Sequence, residues 1–149
     1  MSINLPFLDI RLNESTGDFT ARTGQPWWAA AATKGTRIEL QPLALLKRRG
    51  LLATTLRHEL AHVFIDAVSR DRAPRWLEEG FAIHLAGEGR LFAHYAKRAV
   101  LSTDELEKKL ERPGSQQEMR ALYAQAYLNV SKMVRDQGES TIWKKLTGA

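Results

Sequence analysis

The chain contains no cysteine among its 149 residues. Disulfide bonds, thiolate metal ligands and cysteine nucleophiles are therefore excluded. Histidine is also scarce, with 4 residues in the whole chain. Any metal ion would have to be bound by His, Asp or Glu, so only a few combinations of residues could form such a site.

Long apolar segments are absent as well. No run approaches the roughly 18 apolar residues that a membrane-spanning helix needs, so no membrane span is expected. The first twelve residues lack the basic-then-apolar pattern of a signal peptide, and the sequence indicates no compartment. Hydrophobic residues make up 44% and charged residues 26%, values typical of a globular protein. The length fits a single domain spanning residues 1–149.

The excess of basic residues is modest and dispersed. The net charge of +5 results from 22 basic and 17 acidic residues. Only Lys47, Arg48 and Arg49 form a cluster, which is short. This distribution favours an ordinary solvated surface, so we expect no nucleic-acid partner, and a nucleic-acid-binding domain is the least supported interpretation. The sequence indicates no oligomeric state.

Hydrophobic periodicity predicts a short sheet followed by helices. Alternation predicts strands over 7–12, 27–33 and 36–40, with loop over 13–26 and a hairpin turn at Lys34-Gly35. Helical spacing predicts helices over 43–49, 51–69, 74–85, 91–100, 102–110, 115–137 and about 142–146. The expected fold class is α+β, with a sheet of three or four strands packed on helix 51–69 and helices completing the far side.

The most specific motif is His58-Glu59-Leu60-Ala61-His62, which lies inside the predicted helix 51–69. Residues four apart on a helix share one face, so both imidazoles can reach a single metal ion. Glu59 lies close enough to act on water bound to that ion. The spacing therefore predicts a metal site with a nearby general base.

A third ligand is expected from the next predicted helix, because zinc hydrolases usually combine three protein ligands with one open position. Glu78 and Glu79 are adjacent carboxylates on that helix. Neighbouring helical residues point about 100° apart, so only one of the two is expected to face the metal.

The two motifs together resemble a known family. His58 to His62, followed by Trp76-Leu77-Glu78-Glu79-Gly80-Phe81-Ala82, is similar to the gluzincin branch of the H-E-x-x-H zinc peptidases. It resembles the W-L-x-E-G-x-A signature of aminopeptidase N-like enzymes and, more closely, small bacterial peptidase MA-like domains. The resemblance implies a zincin-like fold, one Zn²⁺ per chain and Glu79, the residue before the glycine, as third ligand.

The resemblance also implies a mechanism and a substrate class. Glu59 would be the general base for a zinc-activated water that hydrolyses a peptide or protein substrate. Tyr123 would stabilise the oxyanion, with Tyr127 as the second choice, although simple packing explains Tyr123 equally well. The strand Thr36–Leu40 would line the cleft and pair with the extended substrate.

Two departures from the family limit what is carried over. Residues 36–40 do not match the G-x-M-E-N motif of the exopeptidases, which favours an endopeptidase over an aminopeptidase. Ile83 stands where thermolysin-type enzymes have an Asp that orients a ligating histidine. The partners of His58 and His62 are therefore not identified, and Asp66 is a candidate for which a surface or capping role is preferred.

Other prominent residues have plainer interpretations. Glu78 is expected to be an exposed helix carboxylate, His84 to point away from the metal and His94 to lie on the surface. The four tryptophans are expected in the core, with one of the adjacent pair as a possible cleft edge: Trp27, Trp28, Trp76 and Trp143. The alternative to a peptidase is a catalytically silent zinc-containing scaffold that binds a protein partner. Glu59, which a structural site would not need, favours the enzyme.

Overall fold

The computed structural model of the chain describes residues 7–148. In this range it has three short strands and eight helices: β1 (Asp9–Leu12), α1 (Thr16–Thr23), β2 (Ala31–Lys34), β3 (Arg37–Leu40), α2 (Leu43–Arg48), α3 (Leu52–Ser69), α4 (Arg75–Ala86), α5 (Gly89–Ala93), α6 (Thr103–Glu111), α7 (Gln116–Gln137) and α8 (Glu139–Thr147). A small sheet near the N-terminus and a helical remainder confirm the expected combination of elements. None of these helices has the length and apolarity needed to cross a membrane.

The sheet is mixed, with the strand order β1-β3-β2. β2 and β3 form the expected antiparallel hairpin, but its two-residue turn is Gly35-Thr36, one residue later than predicted. β1 joins β3 in parallel. Ile38 and Leu40 of the central strand are buried against Leu46 of α2 and Val63 of α3. This packing places β2 next to the helix that carries the motif.

Helix α1 lies where the sequence predicts a loop. Its threonine-rich sequence has low intrinsic helix propensity, so periodicity alone does not reveal it. Tertiary and capping contacts compensate: the Ser15 side chain accepts a hydrogen bond from the backbone of Asp18, and Gly24 ends the helix in a left-handed conformation. Phe19 is completely buried and fixes the helix to the rest of the chain.

The helix predicted over 91–100 is wrong in its extent, because α5 ends at Ala93. Single turns follow, in which Tyr95 and Ala96 donate backbone hydrogen bonds to Phe92 and Ala93. The backbone of Leu101 is instead hydrogen-bonded to the Gln125 side chain. Leu101 N–H donates to Gln125 Oε1 at 3.1 Å, and Gln125 Nε2 donates to the Leu101 carbonyl at 2.6 Å. This contact with α7 holds the segment in a non-helical path.

Helix α4 lies between α3 and α7 and forms the centre of the helical core. Its Leu77 and Phe81 are buried together with Val130 and Ile142 from the last two helices. At Gly80, α4 approaches α7 so closely that an added Cβ would lie 2.3 Å from the Ala126 carbonyl oxygen. Only glycine permits this contact, and the contact fixes the positions of the residues on either side of Gly80.

We predict that Gly80→Ala lowers the free energy of unfolding by about 1–3 kcal/mol, because the added methyl group would overlap backbone that cannot move freely. Urea denaturation measures the change. Gly17→Ala is the matched control: its Cβ would meet no atom closer than 3.7 Å, so its stability should equal or slightly exceed that of the wild type. Equal stability of both variants would contradict the close helix contact.

Candidate metal centre

Helices α3 and α4 bring His58, His62 and Glu79 to one point. The two imidazole Nε2 atoms lie 3.0 Å apart, and Glu79 Oε2 lies 3.3 and 3.4 Å from them. Ligand atoms around a tetrahedral zinc ion are separated by roughly 3.3–3.4 Å, given Zn–N distances near 2.0–2.1 Å. The three side chains predicted as ligands are therefore spaced so that they could hold a metal ion.

The hydrogen bonds behind the rings determine which atoms face the centre. His58 Nδ1–H donates to Glu88 Oε1 at 2.8 Å, and His62 Nδ1–H donates to Glu78 Oε1 at 2.6 Å. Because a carboxylate only accepts, each neutral ring presents an Nε2 lone pair to the centre. Glu79 Oε2 is buried there without a hydrogen-bond donor. Three converging lone pairs suit a cation, and without a metal ion or bound protons they would be costly to bury.

These contacts correct one prediction and add one residue. Glu78 is a partner of His62 and has a side chain only 21% exposed, so it is not the free surface carboxylate that was expected. Asp66 has no direct bond to either ring among the described residues. Glu88 was not predicted, since it lies beyond Gly87, where the chain leaves α4 in a left-handed turn. The only sequence signal was general: ligating histidines usually have carboxylate or carbonyl partners.

Charge coupling in the metal-free centre is strong. Burial alone would lower the pKa of His58, but the carboxylates of Glu79 and Glu88 raise it to about 9. The pKa of His62 also lies well above its usual value, because Glu79 and Glu78 outweigh the opposite effect of burial. Burial would raise the pKa of Glu79, but the two imidazoles hold it well below its usual range. Without metal, the centre therefore retains protons at neutral pH.

Glu59 lies beside this centre and is not one of the three converging groups. Its side chain is buried in the cleft and accepts a hydrogen bond from the Thr33 hydroxyl of β2. One face of the carboxylate is thus held by the sheet. Helix α3 alone therefore supplies two candidate ligands and a candidate base.

Tyr123 of α7 also borders the centre, stacked on His58 with ring centroids 6.4 Å apart and planes 9° from parallel. Burial and the charges of Glu79 and Glu59 raise the pKa of Tyr123 well above its usual value. The phenol therefore stays protonated and can donate a hydrogen bond. Tyr127 packs against Gly89 and is not among the residues that line the cleft.

The centre opens into a cleft of about 1230 Å³. One wall is the segment from Trp28 to Thr33, which includes most of β2, and the opposite wall comes from α5 and α7. The prediction that Thr36–Leu40 lines the cleft is wrong, because β3 is the central strand and is paired on both sides. The hairpin places its first strand, β2, at the edge beside α3.

The remaining histidines and tryptophans lie away from the metal centre or at its margin. His84 points away from the metal centre, as expected, with its Nε2 3.1 Å from Glu139 Oε2. His94 is exposed, which was also expected. Trp27 was expected in the core but is 65% exposed, whereas Trp28 lines the cleft. The other two are partly buried against the helical core: Trp76 and Trp143.

Comparisons of the chain with protein-family models, with curated proteins and with solved structures find no match. The geometry of the site is therefore the basis for assigning a function.

We predict that Glu78→Gln and Glu88→Gln each weaken zinc binding about 10–100-fold, because the neutral amide no longer orients and polarises the ligating ring. Competition with a chromogenic chelator measures the dissociation constant. Glu111→Gln is the matched control, since Glu111 lines the same cleft but pairs with Arg75 instead of a histidine. Unchanged affinity in the first two variants would show that the rings do not need these partners.

Zinc affinity should also depend on pH. Metal binding requires neutral Nε2 atoms, whereas the metal-free His58 has a pKa of about 9. The affinity should therefore rise with pH through the neutral range, as the site loses its protons, and level off above the raised pKa. Calorimetry in buffers of different ionisation enthalpy should detect proton release on binding at neutral pH. No proton release there would contradict the raised pKa values.

Proposed function

We propose that this chain is a zinc-dependent peptidase of the zincin-like, gluzincin type, with His58, His62 and Glu79 as metal ligands. The observation that carries the proposal is the convergence of three acceptor atoms at zinc-ligand spacing beside an additional carboxylate, Glu59, in an open cleft. A purely structural site needs neither that carboxylate nor the cleft. Peptide or protein is the proposed substrate class.

The residues beside the metal centre have specific roles in this proposal. A zinc ion bound there would supply Lewis acidity and lower the pKa of water. Glu59 would accept the proton from that water and pass it to the leaving amine. The Thr33 hydroxyl, bound to the Glu59 carboxylate, would restrict the orientation of this base.

Tyr123 is the proposed donor to the developing oxyanion. Its place in the cleft and its ring stacked on His58 support this role, and so does a phenol that stays protonated because its pKa is raised. A hydrogen bond that strengthens as charge develops on the substrate oxygen lowers the barrier more than it stabilises the bound substrate.

The edge of β2 is the proposed docking site for an extended substrate. No strand among residues 7–148 pairs with its outer side, and the segment from Trp28 to Thr33 faces the cleft. Main-chain hydrogen bonds to such an edge bind a peptide without requiring a particular terminus. Glu39, on the central strand, is buried and accepts a hydrogen bond from Asn13, so it is not free to bind the amino terminus of a substrate. This arrangement favours an endopeptidase over an aminopeptidase.

A catalytically silent zinc-containing scaffold is the second candidate. One observation favours it: the Glu59 carboxylate already accepts a hydrogen bond from the Thr33 hydroxyl. In that case the cleft and the β2 edge would bind a protein partner without cutting it. The distinction depends on whether Glu59 performs chemistry.

We predict that Glu59→Gln retains one zinc per chain but reduces peptide cleavage at least about 10²–10⁴-fold, because the amide cannot accept a proton. Elemental analysis and an unbiased peptide-library digest read by mass spectrometry measure the two effects. Glu111→Gln, a neutral change in the same cleft, should cleave as well as the wild type. Cleavage that survives Glu59→Gln would exclude this base. A zinc-loaded wild type that cleaves nothing would favour the scaffold.

A further inference from the structure

The sheet has a second edge, away from the cleft, formed by β1. Three apolar side chains of this segment are partly exposed: Leu8 at 38%, Ile10 at 47% and Leu12 at 54%. Ile10 and Leu12 are in register with Ile38 and Leu40 of β3, which are buried beneath α2 and α3. The apolar face of the sheet therefore continues beyond the helices that cover it.

The backbone of β1 presents an open row of hydrogen-bonding groups on its outer side. Asp9 N–H donates to the Thr36 carbonyl in the turn before β3 at 3.0 Å, and Asn13 N–H donates to the Leu40 carbonyl of β3 at 3.2 Å. Because the direction alternates along a strand, the N–H and C=O groups of the intervening residues, including Ile10, point outward. Within residues 7–148 no strand pairs with this side. An unpaired edge with exposed apolar residues readily accepts another strand.

The charges on this edge complement those of a second, antiparallel copy of the same edge. When Ile10 faces Ile10 of the second copy, Asp9 faces Arg11 of that copy, and Leu8 faces Leu12. In register on β3, Arg37 lies next to Asp9 and Glu39 next to Arg11. The row across the joined sheets then reads Arg37, Asp9, Arg11 of the second copy and Glu39 of the second copy, with alternating sign.

Other registers of the same geometry are unfavourable. A shift by two residues in one direction places Asp9 opposite Asp9, and a shift in the other direction places Arg11 opposite Arg11. These positions would be non-hydrogen-bonded pairs, in which opposing Cα atoms lie only about 4.5 Å apart, so like charges are strongly disfavoured. A shift by one residue would turn the apolar row to the wrong face. The sequence of β1 thus selects one register.

We propose that β1 pairs with β1 of a second copy of this chain, giving a two-fold symmetric dimer with one continuous six-stranded sheet. The contact is self-complementary, so it closes after two copies and does not propagate. It involves about five residues from each copy and lies at the small end of protein interfaces, so the dimer should form in a concentration-dependent way. The inference does not depend on the proposed peptidase activity.

Two charge variants test the register directly. Arg11→Asp alone places Asp opposite Asp in the pair, and Asp9→Arg alone places Arg opposite Arg. Each variant should dimerise at least about tenfold more weakly than the wild type, a loss of about 1.4 kcal/mol. An equimolar mixture should recover a heterodimer, because every charge then faces its opposite. Sedimentation velocity over a hundredfold concentration range measures all four samples.

The mixture controls for effects within one chain. Asp9→Arg brings a second arginine next to Arg37 whether the variant is alone or mixed, so only the contact between copies differs. Ile10→Pro removes an outward N–H and should abolish the dimer while the β1–β3 hydrogen bonds remain. A wild type that stays monomeric throughout, or a mixture that associates no better than its components, would overturn the proposal.

Discussion

Everything at the candidate centre depends on one unfavourable arrangement, the burial of three acceptor atoms within 3.0–3.4 Å of one another. A cation or shared protons must offset their mutual repulsion. The fold maintains the arrangement from outside: Glu78 and Glu88 fix the rings from behind, and Gly80 lets α4 pack tightly against α7. The packing therefore supports a geometry that the isolated helices would not keep.

The small sheet gives the chain two edges of different character. The β2 edge borders the cleft beside Glu59, and the β1 edge lies on the other side of β3. A substrate on one edge and a second copy on the other would not compete for the same backbone groups. The position of β3 at the centre creates this separation, and the short hairpin between β2 and β3 enforces it.

Most elements were predictable because their signals are local. The H-E-x-x-H spacing placed His58 and His62 on one helical face, and capping residues marked the starts of α6 and α7. The sequence missed α1 because its stability comes from caps and the burial of Phe19 rather than from propensity. It overextended α5 because the contact between Leu101 and Gln125 joins residues far apart in the chain.

The sequence by itself limited which side chains could bind a metal, because fixed spacing along a helix and the absence of cysteine leave few options. The tertiary structure alone decided which carboxylates face the rings and which strand borders the cleft. Periodicity states that a residue lies on a given face of its own helix or strand. Periodicity does not reveal which other element packs against that face, because that choice depends on long-range contacts such as those of α4 with α3 and α7.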